Sequence, residues 1–438
     1  MSHTAHYHTF GCKLNFAETS TIAEALEAAG VVRAADGDTP DIVVVNTCAV
    51  TAMAQKKCQQ LIRAYSRRWP QALIAVTGCY AQLQPVEVSA LPGVAIVWGN
   101  DNKTAMASEV LRHIRSADAG SRASVSHVIK AKDIRSFTPS CSRGDRTRYF
   151  LKVQDGCDYF CSYCTIPYAR GRSRSGNIDD IVAQARQAAA NGGKEIVITG
   201  VNIGDYGHGT DITFLDLLRR LDDVEGIQRY RISSIEPNLL TDEIIDWVAR
   251  SRAFMPHFHI PLQSGSNKVL EMMRRRYDTS LFAHKIHCIR QIIPDAFIGV
   301  DLIVGAKGET PQEFEISRQM VESLDITRLH IFPYSERPGT RAVAENEWYR
   351  VDQAEKHRRA NIMQEISDRK LKAFVHKNCG TRRKVLVEHT AHGNYMYGLT
   401  DNYLRVKLPL SPSLYNQLVD VQLTEPVTDG TADIIASL

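Results

Sequence analysis

Cysteines at the ends of apolar runs constrain this chain more than any other feature. Gly11-Cys12, Thr47-Cys48 and Gly78-Cys79 each lie one to three residues past a strand-like run, and Cys157, Cys161 and Cys164 follow another, Tyr149 to Val153. Helical patterns fill the intervals. The N-terminal stretch reads as strand Tyr7 to Phe10, helix Ala17 to Ala29, strand Asp41 to Val45, helix Gln55 to Arg68 and strand Leu73 to Val76. Strands alternating with helices predict a parallel sheet in a doubly wound α/β domain. Open sheets of this kind bind ligands outside the carboxyl ends of their strands, so Cys12, Cys48 and Cys79 should converge on one edge as a three-thiol site.

The second group has Cys-x3-Cys-x2-Cys spacing, Cys157 to Cys164, which puts three soft ligands in one loop. Zinc structural sites and ordinary ferredoxin clusters take four protein ligands, and the ferredoxin run is spaced differently. Three thiolates suggest a cluster with one open iron, available to a substrate or cofactor. A zinc loop borrowing a distant fourth ligand is the competing reading. The other four of the ten cysteines read as packing: Cys58 and Cys288 lie in helix-like segments, and Cys141 and Cys379 lie near proposed domain joints.

At 438 residues the chain exceeds one typical core, so two or three domains are expected. No run approaches the ~18 apolar residues that span a bilayer, and the first residues lack the plan of a signal peptide. A cytoplasmic protein with no membrane partner follows, in which many cysteines mean metal or redox chemistry rather than disulfides. Net charge is only +4, so a nucleic-acid partner must be met by a local basic patch. The helix after Cys48 offers one in Lys56, Lys57, Arg63, Arg67 and Arg68.

Beyond a polar linker, residues 117–142, the strand–helix rhythm resumes. Apolar runs at Tyr149 to Val153, Glu195 to Thr199, Tyr230 to Ser233, His257 to Pro261, Phe297 to Val304 and Leu329 to Phe332 fit a partial (β/α)6 barrel over residues 143–375. Its strand ends carry Gly200, Asn202, Ser234, Glu236 and Gln263 beside the three-cysteine loop. Residues 376–438 change to five short strands, which predict a small antiparallel β-barrel of the OB-like kind that binds looped RNA. Arg382, Arg383, Arg405 and Tyr403 supply charge and rings for phosphates and bases.

The Cys-x3-Cys-x2-Cys loop is the signature of the radical S-adenosylmethionine enzymes. Gln154-Asp155-Gly156-Cys157 and Ile166 to Ser175 resemble one branch of them, the methylthiotransferases. Phe10 to Asn15, Val45 to Thr51 and Val76 to Gln82 are similar to the three cysteine motifs of that family's N-terminal domain, residues 1–116 here. Gly398 to Val406 resembles its terminal TRAM domain. The resemblance implies two 4Fe–4S clusters, one on Cys157, Cys161 and Cys164 with S-adenosylmethionine, and an auxiliary one on Cys12, Cys48 and Cys79. It implies cofactor contacts from Tyr163, Gly200, Asn202, Ser234, Glu236 and Gln263, and RNA contacts from Arg170, Arg172 and the C-terminal barrel. It also implies an electron donor and a sulfur source.

Gly11-Cys12-Lys13-Leu14-Asn15 looks most like the branch that converts N6-threonylcarbamoyladenosine, in a tRNA anticodon stem-loop, to its 2-methylthio derivative. The isopentenyladenosine branch usually carries Gly-Cys-Gln-Met-Asn, and the branch acting on a ribosomal-protein aspartate Gly-Cys-Pro-Lys-Asn. A non-enzymatic RNA-binding iron–sulfur protein is a further alternative. The chain departs from the family at Ala306-Lys307, where members commonly carry Phe-Pro.

Overall fold

The computed structural model describes residues 3–118, 124–142 and 147–438. The N-terminal sheet has six parallel strands, in the order Val32–Arg33, Thr4–Thr9, Ile42–Thr47, Leu73–Gly78, Val94–Trp98 and Val125–His127. Ile42–Thr47 is buried at every position, as a central parallel strand covered on both faces must be. Val43 and Val45 pack on the helix Ala52–Arg68, while Ile42 and Val44 face the helices Lys13–Ala28 and Lys103–Asp118.

The stretch read as a linker holds structure that its sequence conceals. Val125–His127 is the last strand of the N-terminal sheet, with His127 stacked on Trp98 at 4.2 Å. Ser140–Cys141 pairs antiparallel with the first central strand. Strands of two or three residues carry no readable periodicity. Residues 119–123 of this stretch, and 143–146 just beyond it, lie outside the described residues.

Six parallel strands in chain order follow: Arg148–Lys152, Glu195–Thr199, Arg229–Ile232, His257–Gln263, Phe297–Val304 and Arg328–Pro333. Lone bridges Tyr230↔Phe254 and Ser234↔His259 join the first three to the last three, giving the open barrel expected from the sequence. Alternate residues of its first strands, Phe150 and Val197, turn away from the outer helices and pack on Ala17, so the N-terminal helix Lys13–Ala28 lies against the barrel's inner wall.

The helix Gln353–Asn378 leads to a closed five-stranded barrel made of Arg382–His392, Tyr395–Thr400, Arg405–Pro409, Leu418–Pro426 and Ile434–Ser437. This barrel docks on the amino ends of the central strands. Arg229 donates to the carbonyls of Leu399 (3.0 Å) and Lys384 (2.5 Å), and Arg231 to those of Thr400 (2.6 Å) and Asp401 (2.7 Å). It therefore lies opposite the cysteine mouth.

Candidate functional site

Neighbouring strands Thr4–Thr9, Ile42–Thr47 and Leu73–Gly78 end side by side, through Thr9↔Asn46 and Thr47↔Gly78, and so deliver Cys12, Cys48 and Cys79 to one edge. Two turns need glycine. Gly11 has φ +97°, and a Cβ there would meet the Cys48 Sγ at 3.2 Å. Gly78 has φ +98°, and a Cβ would collide with the Thr47 carbonyl oxygen. Asn15 ties the edge together, its amide donating to the carbonyls of Phe10 (2.8 Å) and Thr47 (3.2 Å). Burial, with Cys79 nearby, pushes the Cys48 thiol up to about 12.

Beneath this edge lies a buried charge network that joins the sheet to the barrel. Glu18 takes Lys152 at 2.9 Å and Arg170 at 2.9 Å, with Lys103 at 4.0 Å. Asp155 takes Lys152 at 2.8 Å, Arg170 at 3.0 Å and Arg174 at 3.0 Å. Burial raises both carboxyls, but the surrounding cations outweigh it and hold each well below the usual carboxylate range. Four cations face two carboxylates, and the surplus positive charge acts on Cys12 and Cys79 from Arg170 and Lys103. Such a surplus suits an anionic thiolate cluster.

The loop triad is held by backbone. Gly156, with φ +71°, begins the loop, and the Cys157 amide donates to the Gly171 carbonyl at 3.0 Å. The amides of Tyr159 and Ile166 donate to the sulfurs of Cys157 and Cys164, each at 3.4 Å. Ser162 is pinned from both sides, its amide to Met273 (3.1 Å) and its carbonyl to Ala342 (2.8 Å). Burial pushes the thiols of Cys157 and Cys164 up to about 12. Neither triad brings its three sulfurs within 4.8 Å of one another among the described residues. One tetrahedral zinc ion needs sulfurs roughly 3.8 Å apart, so both triads are too open for it. Sulfurs bound to separate irons of a cluster stand further apart, so openness beyond 4.8 Å is compatible with that group.

The expected cofactor residues fall around this loop. Gln154 accepts from the amides of Val201 (3.0 Å) and Asn202 (2.8 Å) and donates to the Gly156 carbonyl (2.8 Å), locking the Gly200–Asn202 turn to the cysteine loop. Both amide atoms of Asn202 are buried without a hydrogen-bond partner, which suits a donor and acceptor for a bound cofactor. Ser234 is half-buried at the strand bridge to His259. Glu236 pairs with Arg275, whose guanidinium also donates to the Cys161 sulfur at 3.1 Å and the Tyr163 hydroxyl at 3.3 Å. Arg275 and Gln154 were not singled out from the sequence as site residues. Nothing marks Arg275 locally among Arg274, Arg275 and Arg276. Gln263, with φ +63°, lines a cavity of about 220 Å³ together with Tyr163, Cys164 and Asp301. Lys307 is buried and donates to the carbonyls of Val343 (3.1 Å) and Glu345 (3.3 Å), which fixes the divergent loop without a proline.

A second cavity, about 250 Å³, is bordered by Ala49, Tyr80 and Thr165, the residues that follow Cys48, Cys79 and Cys164. Its wall thus includes sequence neighbours of members of both triads.

The expected RNA residues divide. Arg172 is exposed, pairs with Asp158 at 3.1 Å and shares a cavity of about 370 Å³ with Arg274, Arg276 and Arg341. Arg382 and Arg405 are exposed, the latter 4.7 Å over the Tyr397 ring. Arg170 is corrected: it is 1% exposed and spent on Glu18 and Asp155. Tyr403 is corrected as well, since its ring packs on His257 at 4.1 Å in the joint between the barrels. Arg383 is mostly buried against Asp295 (2.5 Å) and Asp401 (3.3 Å). The pairings with Glu18, His257 and Asp295 span distant segments and are invisible to local pattern.

An open six-stranded parallel barrel with three thiols in the loop after its first strand defines the radical S-adenosylmethionine class. The Radical SAM superfamily matches residues 151–321, and Uncharacterized protein family UPF0004 matches residues 4–99. The chain is 38% identical, over 98% of its length and 96% of the relative's, to the threonylcarbamoyladenosine tRNA methylthiotransferase MtaB of Bacillus subtilis. It is 33% identical, over 95% of each, to the tRNA-2-methylthio-N(6)-dimethylallyladenosine synthase of Geotalea uraniireducens. Among solved structures, the radical S-adenosylmethionine methyltransferase TsrM of Kitasatospora setae superposes with a TM-score of 0.55 at 18% identity, over 76% of this chain and 75% of that one, and so shares the fold. The chain belongs to the radical S-adenosylmethionine methylthiotransferases, of the MtaB type.

Proposed function

We propose that this protein attaches a methylthio group to C2 of N6-threonylcarbamoyladenosine in a tRNA anticodon stem-loop. The observation that carries the reading is the cavity of about 250 Å³ bordered by residues adjacent to both triads. A transfer that needs a hydrogen-abstracting centre and a sulfur donor at one carbon requires its substrate between them.

In this reading Cys157, Cys161 and Cys164 hold one 4Fe–4S cluster, and Cys12, Cys48 and Cys79 hold a second. When bound, the clusters and S-adenosylmethionine supply the radical and methylated-sulfur chemistry. The chain's own residues position and enclose. Gln154 fixes the turn carrying Gly200 and Asn202 against the cysteine loop, offering the Asn202 amide to the cofactor. Arg275 sets Glu236 beside Cys161, and Tyr163, Ser234 and Gln263 complete the cofactor wall. Residues 1–116, 143–375 and 376–438 act as auxiliary-cluster, radical and RNA-binding domains, joined through residues 117–142. RNA meets Arg172 near the mouth and the exposed Lys56, Lys57, Arg63, Arg67 and Arg68 along the helix that leads away from the auxiliary edge. Arg382 and Arg405 reach a more distant part of the same RNA. The protein works in the cytoplasm with an electron donor and a sulfur source.

Anaerobic reconstitution followed by incubation with unmodified, isopentenylated and threonylcarbamoylated stem-loops tests the reading. The methylthio mass increment should appear on the threonylcarbamoylated RNA; its appearance on the isopentenylated RNA alone rejects that substrate.

A further inference from the structure

Arg337 is 7% exposed, lines the cavity bordered by neighbours of both triads, and has no carboxylate partner among the described residues. Its Nη2 donates to the Gln55 side-chain oxygen at 2.9 Å, while its buried Nε has no hydrogen-bond partner. The neighbouring Glu336 is exposed and acts on Tyr334 and Lys356 instead. Glu87 takes the other end of the Gln55 amide, at 3.2 Å. The titratable group that acts on Arg337 is the Cys48 thiol.

Other buried or half-buried arginines here end on carboxylates or carbonyls, including Arg359 and Arg383, which leave one nitrogen unpartnered but pair with Glu309 and Asp295. Arg170 ends on two carboxylates, and Arg229 and Arg231 end on carbonyls of the C-terminal barrel. Arg174 donates to Ser136, Arg170 and Asp155. A buried guanidinium with a free donor edge is costly unless an anion completes it, and a planar fork is best completed by a carboxylate. The cavity walls around it, Gln55, Gln84, Thr165 and Tyr168, offer further polar groups.

We propose that Arg337 is the specificity-determining residue of this cavity, pairing with the carboxylate of the threonylcarbamoyl side chain. The assignment rests on the substrate reading above. In this cavity a carboxylate-bearing adenosine would complete the buried guanidinium, and an alkylated one would leave it unpaired.

The test is equilibrium binding by the cluster-loaded protein. A stem-loop carrying N6-threonylcarbamoyladenosine is compared with the same RNA carrying its methyl ester. The unaltered protein should bind the acid about 100-fold tighter. In Arg337→Gln the ratio should fall to about one, and Arg337→Lys, which keeps the charge without the fork, should restore roughly a tenth of it. Iron content and S-adenosylmethionine affinity are measured in parallel.

An unchanged ratio in Arg337→Gln overturns the proposal. Loss of iron with equal weakening on acid and ester assigns the guanidinium to the auxiliary cluster, and loss of S-adenosylmethionine affinity alone assigns it to the methionine carboxylate. Either result overturns it too. Mass analysis of turnover judges the substrate separately: if the unaltered protein leaves the acid RNA unmodified while the binding ratio still collapses in Arg337→Gln, the substrate reading fails and the anchor stands.

Discussion

The two cysteine triads present similar ligands on opposite architectural terms. Cys157, Cys161 and Cys164 share one short loop, so their proximity is set by the chain itself, while backbone hydrogen bonds to Gly171, Met273 and Ala342 pin the loop in place. Cys12, Cys48 and Cys79 are 36 and 31 residues apart in sequence, and only the sheet makes them neighbours. The first site is written in spacing; the second is written in topology. Their failure modes should therefore differ, and the strongest test of that difference removes one site while watching the other. Replacing Cys157, Cys161 and Cys164 by alanine should abolish reductive cleavage of S-adenosylmethionine and turnover, leaving about half the iron bound. Elemental analysis and 5′-deoxyadenosine release measure both. Simultaneous loss of all iron would show that the triads do not form independent sites.

What holds the two sites at a working distance is Glu18 and Asp155, with Lys152 and Arg170 shared between them. Glu18→Gln leaves buried cations without their partner, at a cost of about 3–5 kcal/mol, read from chemical denaturation. Both carboxyls are held below their unfolded values, so their contribution is complete above about pH 5 and fades as the pH falls. Unfolding free energy measured against pH should thus drop more steeply in acid for the unaltered protein than for Glu18→Gln. Equal slopes would remove Glu18 from the account.

The same network marks where sequence reading stopped. Cysteine spacing, strand ends and the shift to short strands after residue 376 were legible because each is local or periodic. Glu18 to Lys152 and Arg170 spans 134 and 152 residues, and no pattern in either segment announces it. Arg170 and Arg172 sit in one Arg-Gly-Arg motif and look equivalent in sequence. One end of a short helix, Ile166–Arg170, turns the first inward, and the chain then leaves the second at the surface. Arg275 and Arg337 owe their roles to partners that are distant in sequence or missing altogether.

Glycines sharpen the comparison at smaller scale. Gly78 holds φ +98° behind Cys79, and Gly156 holds φ +71° before Cys157; an added Cβ would collide with the Thr47 and Arg172 carbonyl oxygens respectively. Each alanine substitution should cost about 1–3 kcal/mol of local strain, released by moving the adjacent turn. Gly78→Ala should then lower iron retention at the sheet edge and spare the loop site, while Gly156→Ala should do the reverse. Iron retention with and without the loop cysteines separates the two. Identical losses from both substitutions would mean the sites are mechanically one.

The smallest effect belongs to the surface. Arg172 is 62% exposed at its side chain, and its pair with Asp158 is screened by solvent. Arg172→Ala should leave folding and both iron sites unchanged. RNA affinity should weaken a few-fold, by a similar factor for every stem-loop, and the slope of log affinity against log salt should fall by about one. Arg170→Ala, two residues away, should instead behave like Glu18→Gln, with a loss of stability and no change in salt slope. If the two arginine variants lost RNA affinity in parallel with matching slopes, the inward turn of Arg170 would not describe the working protein.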